Sequence, residues 1–424
     1  MIDRLYAALD DRLGVARLLR GQLSKPFPSH WSFLLGEVAL YSFIVLILTG
    51  VFLTFFFEPS TEEIVYSGAY QPLRGVEMSR AYASVLETSF SVRAGLVMRQ
   101  IHHWAALVFV AAIVVHLARV FFTGAFRKPR ELNWVVGTTM LILAIGNGFL
   151  GYSLVDDLLS GTGLRIGYSI VLSVPVVGEW MAFLLFGGEF PTPETIPRFY
   201  AMHIFLLPAL LGILIAVHLA IVWHQKHTQF PAPGRTESNV VGTRFWPGYT
   251  AKSVGLFFLV TAALALLGGL VQINPVWLYG PFDPAAVSSP AQPDWYLGWV
   301  EGAMRLAPPW DLQLGDYLIP ETFLPTVALP GLTFLGIYLW PFLEARFTGD
   351  HSEHHLLDRP GQRPVRTAVG VAATVFYGIL LLAGSDDVLA VSTEAEVVEL
   401  VWVLRAAALL LPPVAGWATY RILR

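Results

Sequence analysis

The sequence predicts an all-α polytopic membrane protein with eight transmembrane helices. Three observations carry that expectation. Of its 424 residues 55% are hydrophobic and 14% charged, where a soluble domain carries roughly 25% charged residues. The mean hydropathy is +0.59. Eight apolar runs are each long enough for the ~20 residues that cross a hydrocarbon core.

These runs lie near 32–57, 100–123, 134–155, 200–223, 253–272, 322–343, 367–384 and 398–420. A shorter run, 177–187, falls below crossing length and reads as an interfacial helix or a re-entrant turn. Basic residues concentrate in alternate loops. Arg4, Arg12, Arg17, Arg20 and Lys25 precede span 1, and Arg127, Lys128 and Arg130 follow span 2. Lys226, Arg235, Arg244 and Lys252 follow span 4, and Arg346, Arg359, Arg363 and Arg366 follow span 6. The loop after span 7 is acidic, with Asp386, Asp387, Glu394 and Glu396. The positive-inside rule therefore puts both termini of this multi-pass membrane protein in the cytoplasm.

Met1 to Pro28 is charged and mixed, without a signal-peptide pattern, and reads as a cytoplasmic arm. The Gly-, Pro- and charge-rich stretch 228–251 divides the chain. The expected organisation is an arm over 1–31, a four-helix bundle over 32–227, a linker over 228–252 and a second four-helix block over 253–424. Long outer loops at 58–98, 156–199 and 273–321 are the places to expect function.

Composition also excludes. A net charge of −4 without a basic block argues against a nucleic-acid binder or a disordered chain. The absence of cysteine excludes disulfides, thiolate zinc, iron–sulfur clusters and thioether haem. Metals held by histidine remain open.

Four of the 11 histidines lie inside the first block: His102 and His116 on span 2, His203 and His218 on span 4. Ionisable groups in a membrane face the bundle interior. The 14-residue gap on span 2 returns to within about 40° of one face, roughly 21 Å further along. The 15-residue gap on span 4 returns to within about 60°, and slight overwinding or a bend at Pro208 would correct it. The two spans run in the same direction, so His102 is level with His203 and His116 with His218. An imidazole on each side of a macrocycle gives six-coordinate haem without cysteine. The expected bundle is therefore one that binds haem between its helices.

Glycines repeat the spacing: Gly36 and Gly50 on span 1, Gly137 and Gly151 on span 3, each pair 14 apart. A missing side chain lets a flat ring approach the backbone. Arg99, Arg119 and Arg198 stand near the histidines, where they could pair with propionates or simply anchor the interface. His103 lies about 140° off the face of His116 and is left out as a ligand.

Taken together, Arg99-Gln-Ile-His102, His116-Leu-Ala-Arg119, the four glycines, Arg198 with His203 and His218, and Pro293-Asp-Trp-Tyr296 resemble the cytochrome b subunit of respiratory cytochrome bc complexes. The likeness spans nearly the whole chain. It looks actinobacterial in Gln225 to Arg235, Glu353 to Arg359 and Arg127 to Asn133.

The resemblance implies a quinol–cytochrome c oxidoreductase with two non-covalent haem b groups. The low-potential haem would lie on His102 and His203 near the outer face, the high-potential haem on His116 and His218 near the inner face. Quinol, menaquinol by the actinobacterial likeness, would be oxidised at an outer site. One electron would go to a Rieske iron–sulfur partner and on to cytochrome c. The other would cross to quinone at an inner site, with protons released outside. A homodimer and a supercomplex with cytochrome c oxidase are further implications.

The outer motif carries Asp294 where the family has glutamate. Asp294 would accept the quinol proton, with Tyr296, Pro293, Trp295 and the turn Gly161-Thr162-Gly163 lining the pocket. At the inner site the family's histidine and aspartate positions are Trp223 and Ser253 here. His224, Lys252 and Glu37 are the expected substitutes, Glu37 as proton donor. Several actinobacterial relatives continue past span 8 in a cytoplasmic tail. This sequence ends at Arg424, so nothing is assigned to such a tail.

Two other classes stay open. A proton-coupled transporter would use membrane histidines as relays, although internal repeats and broken helices are not evident. A haem-binding anchor of a dehydrogenase would keep the histidines but not need Pro293 to Tyr296. Two features stand outside every reading. His351, His354 and His355 with Asp350 and Glu353 could hold a divalent metal or form a solvated loop. Arg405 sits inside span 8 without an evident partner.

Overall fold

The computed structural model describes Asp10, Arg12, Gly14, residues 20–286 and residues 292–424. Arg4 and Arg17 of the N-terminal arm lie outside these. Among the described residues eight helices are long and apolar enough to cross a membrane. They are Trp31–Thr54, Gly95–Thr123, Glu131–Ser153, Thr195–Gln225, Phe245–Leu270, Leu324–Thr348, Pro364–Ala383 and Val397–Leu423. Each covers one expected run. The short run 177–187 forms a separate helix, Gly178–Phe186, with Trp180, Phe183 and Leu184 exposed.

Spans 1 and 2 pack along their length, and span 5 leans on both. Span 3 packs against span 4 on one side and span 6 on the other, while spans 7 and 8 form a close pair. The central core joins Ala39 of span 1, Phe109, Val110 and Ala112 of span 2, Leu141 and Ala144 of span 3, and Tyr296 from an outer loop. Span 4 is different. Among its residues 207–225 only Leu211 is buried, and His203 lines a cavity shared with His102 of span 2.

The turn that makes this possible is Met202–Leu206, a π-helix, with Leu207 N–H bonded to the Met202 carbonyl. Pro208 lacks the N–H that an α-helix would aim at residue 204. The extra residue of a π turn changes the 15-residue gap to the angular equivalent of 14. This corrects the expected overwinding: span 4 widens by one residue.

Among the described residues three two-stranded ladders tie loops together: Pro26–Phe27 with Thr243–Arg244, Glu63–Val65 with Glu77–Ser79, and Leu312–Leu314 with Tyr317–Ile319. The first joins the arm to the stretch 228–251. That stretch is itself docked. Gln229 is fully buried, its amide bonds the Asn239 carbonyl at 2.8 Å, and its backbone pairs with His355 and Leu357.

The unexplained features are absorbed here. Arg130 donates to the His354 carbonyl at 2.7 Å and to His355 Nδ1 at 2.9 Å. His354 pairs with Asp350 at 3.0 Å. Beneath them Arg366, 3% exposed, binds Glu344 and Asp358. These bonds clasp the loop after span 6 to the loops after spans 2 and 4, with Arg366 paired to carboxylates and Arg130 bonded to carbonyls and a histidine nitrogen. Arg405 donates from Nε to the Leu306 carbonyl at 2.8 Å and from Nη2 to the Ala307 carbonyl at 3.1 Å. It supplies donors for the end of a short outer helix, Trp295–Leu306, whose last carbonyls have no partner within the helix.

Candidate functional site

The four histidines form two levels. The rings of His102 and His203 have centroids 6.2 Å apart, and those of His116 and His218 6.5 Å. A metal–imidazole bond is about 2 Å long. Two imidazoles sharing one metal therefore place their centroids about 6 Å apart, each ring adding roughly 1 Å between nitrogen and centre. Both pairs meet that requirement.

The hydrogen bonds at the outer level fix which nitrogen is free. His102 Nδ1 lies 2.9 Å from Thr49 Oγ1. The Thr49 hydroxyl already donates to the Val45 carbonyl at 2.7 Å, so it accepts from His102. His203 Nδ1 donates to the Asn147 carbonyl at 2.9 Å. With Nδ1 protonated on both rings, each Nε2 keeps a lone pair for metal, the usual arrangement behind a metal-bound histidine.

Each spaced glycine backs one histidine. A Cβ on Gly36 would lie 3.2 Å from the His116 ring, and one on Gly50 3.2 Å from the His102 ring. The corresponding distances are 3.8 Å from Gly137 to His218 and 2.3 Å from Gly151 to His203. The flat ring that approaches the backbone is thus the imidazole.

Arg99 and Arg119 carry buried Nε and Nη2 atoms without hydrogen-bond partners among the described residues. Arg99 uses only Nη1, toward the Asn274 carbonyl at 3.2 Å, and lies over Trp277. Arg119 lies over Phe33 at 4.5 Å. Buried guanidinium donors left unpaired require an acceptor, and carboxylates such as propionates have that chemistry. The donors, the orphaned guanidinium atoms and the glycine cradle all fit haem. Arg198 departs from the expectation. Its Nη1 donates to the Phe183 and Leu184 carbonyls at 3.1 and 2.7 Å. The carbonyls at the end of helix Gly178–Phe186 thus take up this guanidinium nitrogen.

Asp294 lies in the same cavity as His102 and His203. Its Oδ2 accepts from the Tyr296 hydroxyl at 2.9 Å, and its Oδ1 accepts from His103 Nε2 at 2.8 Å. Tyr296 is 2% exposed, and burial beside Asp294 pushes its phenol well above the ordinary value. Trp295 is exposed and stands edge-on to Tyr296 at 6.0 Å. Gly161 lies against Phe282 of the opposite loop, where a Cβ would meet the ring at 2.1 Å. Its helix, Leu158–Leu172, is capped by Asp157, which accepts from Ser160 N–H at 2.7 Å. Burial raises that carboxyl to about 6.

At the inner level Glu37 is enclosed by hydroxyls. Oε2 accepts from Ser253 at 2.7 Å and from Tyr41 at 3.2 Å, and Oε1 accepts from Tyr249. Two pairs at i, i+4 meet here, Glu37 with Tyr41 and Tyr249 with Ser253, because such pairs share one helix face. His224 and Lys252 do not join them; both are exposed. The neighbouring Trp223 takes the inward position, where its carbonyl accepts from Lys25 Nζ at 3.2 Å and its ring nitrogen donates to Gln22.

The residue that sequence reasoning missed is His227. It lines an inner cavity with Lys25, Phe27 and Trp223, and its ring lies 4.2 Å from that of Phe27. Burial, then the charges of Arg130 and Lys25, lowers its imidazole to about 4, so it is neutral near pH 7. It sits in a loop, where helical spacing gives no signal.

A profile of the family described as cytochrome b (N-terminal)/b6/petB matches residues 107–281. The chain is 54% identical over 422 residues to the cytochrome bc1 complex cytochrome b subunit of Mycobacterium tuberculosis, covering 99% of this chain and 77% of that protein. It is 51% identical over 421 residues to the protein of the same name in Streptomyces coelicolor, with the same coverage. A solved structure titled hyperthermophilic respiratory complex III contains a chain of the same fold. It has a TM-score of 0.72 and 21% identity, over 98% of this chain and 99% of that one.

Proposed function

The chain belongs to the cytochrome b family, and from that premise we propose that it is the quinol-oxidising and quinone-reducing subunit of a plasma-membrane cytochrome bc complex with cytoplasmic termini. Membership sets aside the transporter and dehydrogenase-anchor readings. The observation that carries the proposal is the pair of histidine levels, 6.2 and 6.5 Å between ring centres, on two parallel spans. His102 with His203 and His116 with His218 would hold two b haems, which supply one-electron carriage across the membrane when bound.

At the outer face Asp294 takes a proton from quinol, and Tyr296 holds the carboxylate in the cavity. One electron leaves to a Rieske iron–sulfur partner that supplies the cysteines this chain lacks, and then to cytochrome c. The other crosses to the inner face, where the electrons from two quinol oxidations and two protons convert one quinone to quinol. There Glu37 delivers a proton through its hydroxyl partners, and His227 with Lys25 offers polar contacts to quinone oxygens. The actinobacterial likeness supports menaquinol as substrate, a homodimer and a supercomplex with an oxidase.

Glu37→Gln tests the inner half. The amide accepts hydrogen bonds but releases no proton. Quinone reduction at the inner site is expected to slow about 100-fold or more, within the range for loss of an acid–base group, with both haems bound. Normal turnover in that variant would remove Glu37 from the route.

A further inference from the structure

The side chain of Asp294 is not where its backbone position favours. Asp294 is the N-cap of helix Trp295–Leu306, yet it makes no side-chain cap bond. An aspartate at an N-cap ordinarily turns its carboxylate onto the free N–H groups of its own first turn. Here the carboxylate is held out of that position. His103, from span 2, donates from Nε2 to Oδ1 at 2.8 Å, and both side chains are about one-sixth exposed. His103 follows His102 directly, about 100° further round the helix. The face that excludes it from the histidine level turns it toward the outer helix.

We propose that His103 is a positioning residue for quinol oxidation, keeping the Asp294 carboxylate in the cavity and preventing its collapse onto the N-terminus of its own helix. This rests on the reading of Asp294 as proton acceptor. The need is set by side-chain length. An aspartate reaches one methylene less far than the family's glutamate, so a small swing removes it from the cavity. A carboxylate has about four lone-pair sites. With one site filled by His103 and one by Tyr296, others remain for the quinol proton.

The test uses the assembled complex, with steady-state quinol oxidation and the reduced haem spectrum measured for each variant. His103→Leu is expected to lower kcat by about 10- to 100-fold, the range for a lost hydrogen bond to a charged group. The quinol KM should stay within about 3-fold, and the haem spectrum should not change. His103→Gln, whose amide N–H reaches the place of Nε2, is expected to recover most of kcat. His103→Leu added to Asp294→Asn is expected to cost nothing further, because the carboxylate being positioned is gone.

Normal kcat in His103→Leu beside an impaired Asp294→Asn would overturn the proposal and leave the Asp294 reading intact. Equal losses in the Leu and Gln variants with intact haem would overturn it as well. If His103→Leu loses haem, His103→Asn decides: its amide is too short for the bond, so its kcat must fall, and a normal kcat overturns the proposal. Normal turnover in Asp294→Asn would instead defeat the parent reading.

Discussion

Replacing His203 with leucine is expected to remove the outer haem, leave the inner one, and take quinol–cytochrome c turnover to background. His203 has one protein hydrogen bond, Nδ1 to the Asn147 carbonyl, and its other nitrogen faces His102 across the bundle. No other imidazole on span 4 lies at that height, since His218 is paired with His116. The purified variant should carry about half the haem b of the parent. The same loss is expected from Gly151→Val, which leaves both histidines in the sequence. A Cβ at 151 would sit 2.3 Å from the His203 ring, far inside contact distance, and His203 is itself part of the π turn Met202–Leu206. Haem absorbance read against protein concentration checks both variants. Full haem in His203→Leu would exclude it as a ligand.

Asp294→Asn is expected to lower quinol oxidation about 100-fold or more, within the range for removing a general base, while both haems remain bound. Asparagine preserves size; its oxygen can still accept from His103, while its amide nitrogen donates to the Tyr296 hydroxyl oxygen. What it loses is the ability to take the quinol proton. The defect belongs to the outer site alone, so inner-site quinone reduction driven by reduced haem should proceed normally. Rapid-mixing kinetics that follow the two directions separately make the distinction. A defect in both directions would mean that the substitution disturbs the bundle through Tyr296, which belongs to the central core.

The histidine levels were legible because helices in a membrane are long, regular and apolar, so residue spacing converts directly to angle and height. The glycine pairs were legible for the same reason. What spacing could not supply is the π turn at Met202–Leu206. It follows from where a proline interrupts hydrogen bonding, and a sequence leaves open whether such a helix bends, overwinds or widens. Spacing leaves His103 out of the histidine level but gives no hint of its partner Asp294, 191 positions away. Long-range partners of this kind carry no periodic signal. Arg198 and Arg405 make the same point, because both bind carbonyls at the ends of short outer helices. The inner carboxylate was legible as Glu37, and its enclosure is visible afterwards as two i, i+4 pairs on spans 1 and 5.

The central claim is that one chain without cysteine holds two haems on two histidine levels. Haem b quantified per polypeptide, with a stepwise reductive titration of the purified complex, tests it most directly. The account predicts about two haems per chain, titrating as separate one-electron components, the component lost in His203→Leu being distinct from the one lost in His116→Leu. A single haem per chain, or the same component lost in both variants, would contradict it.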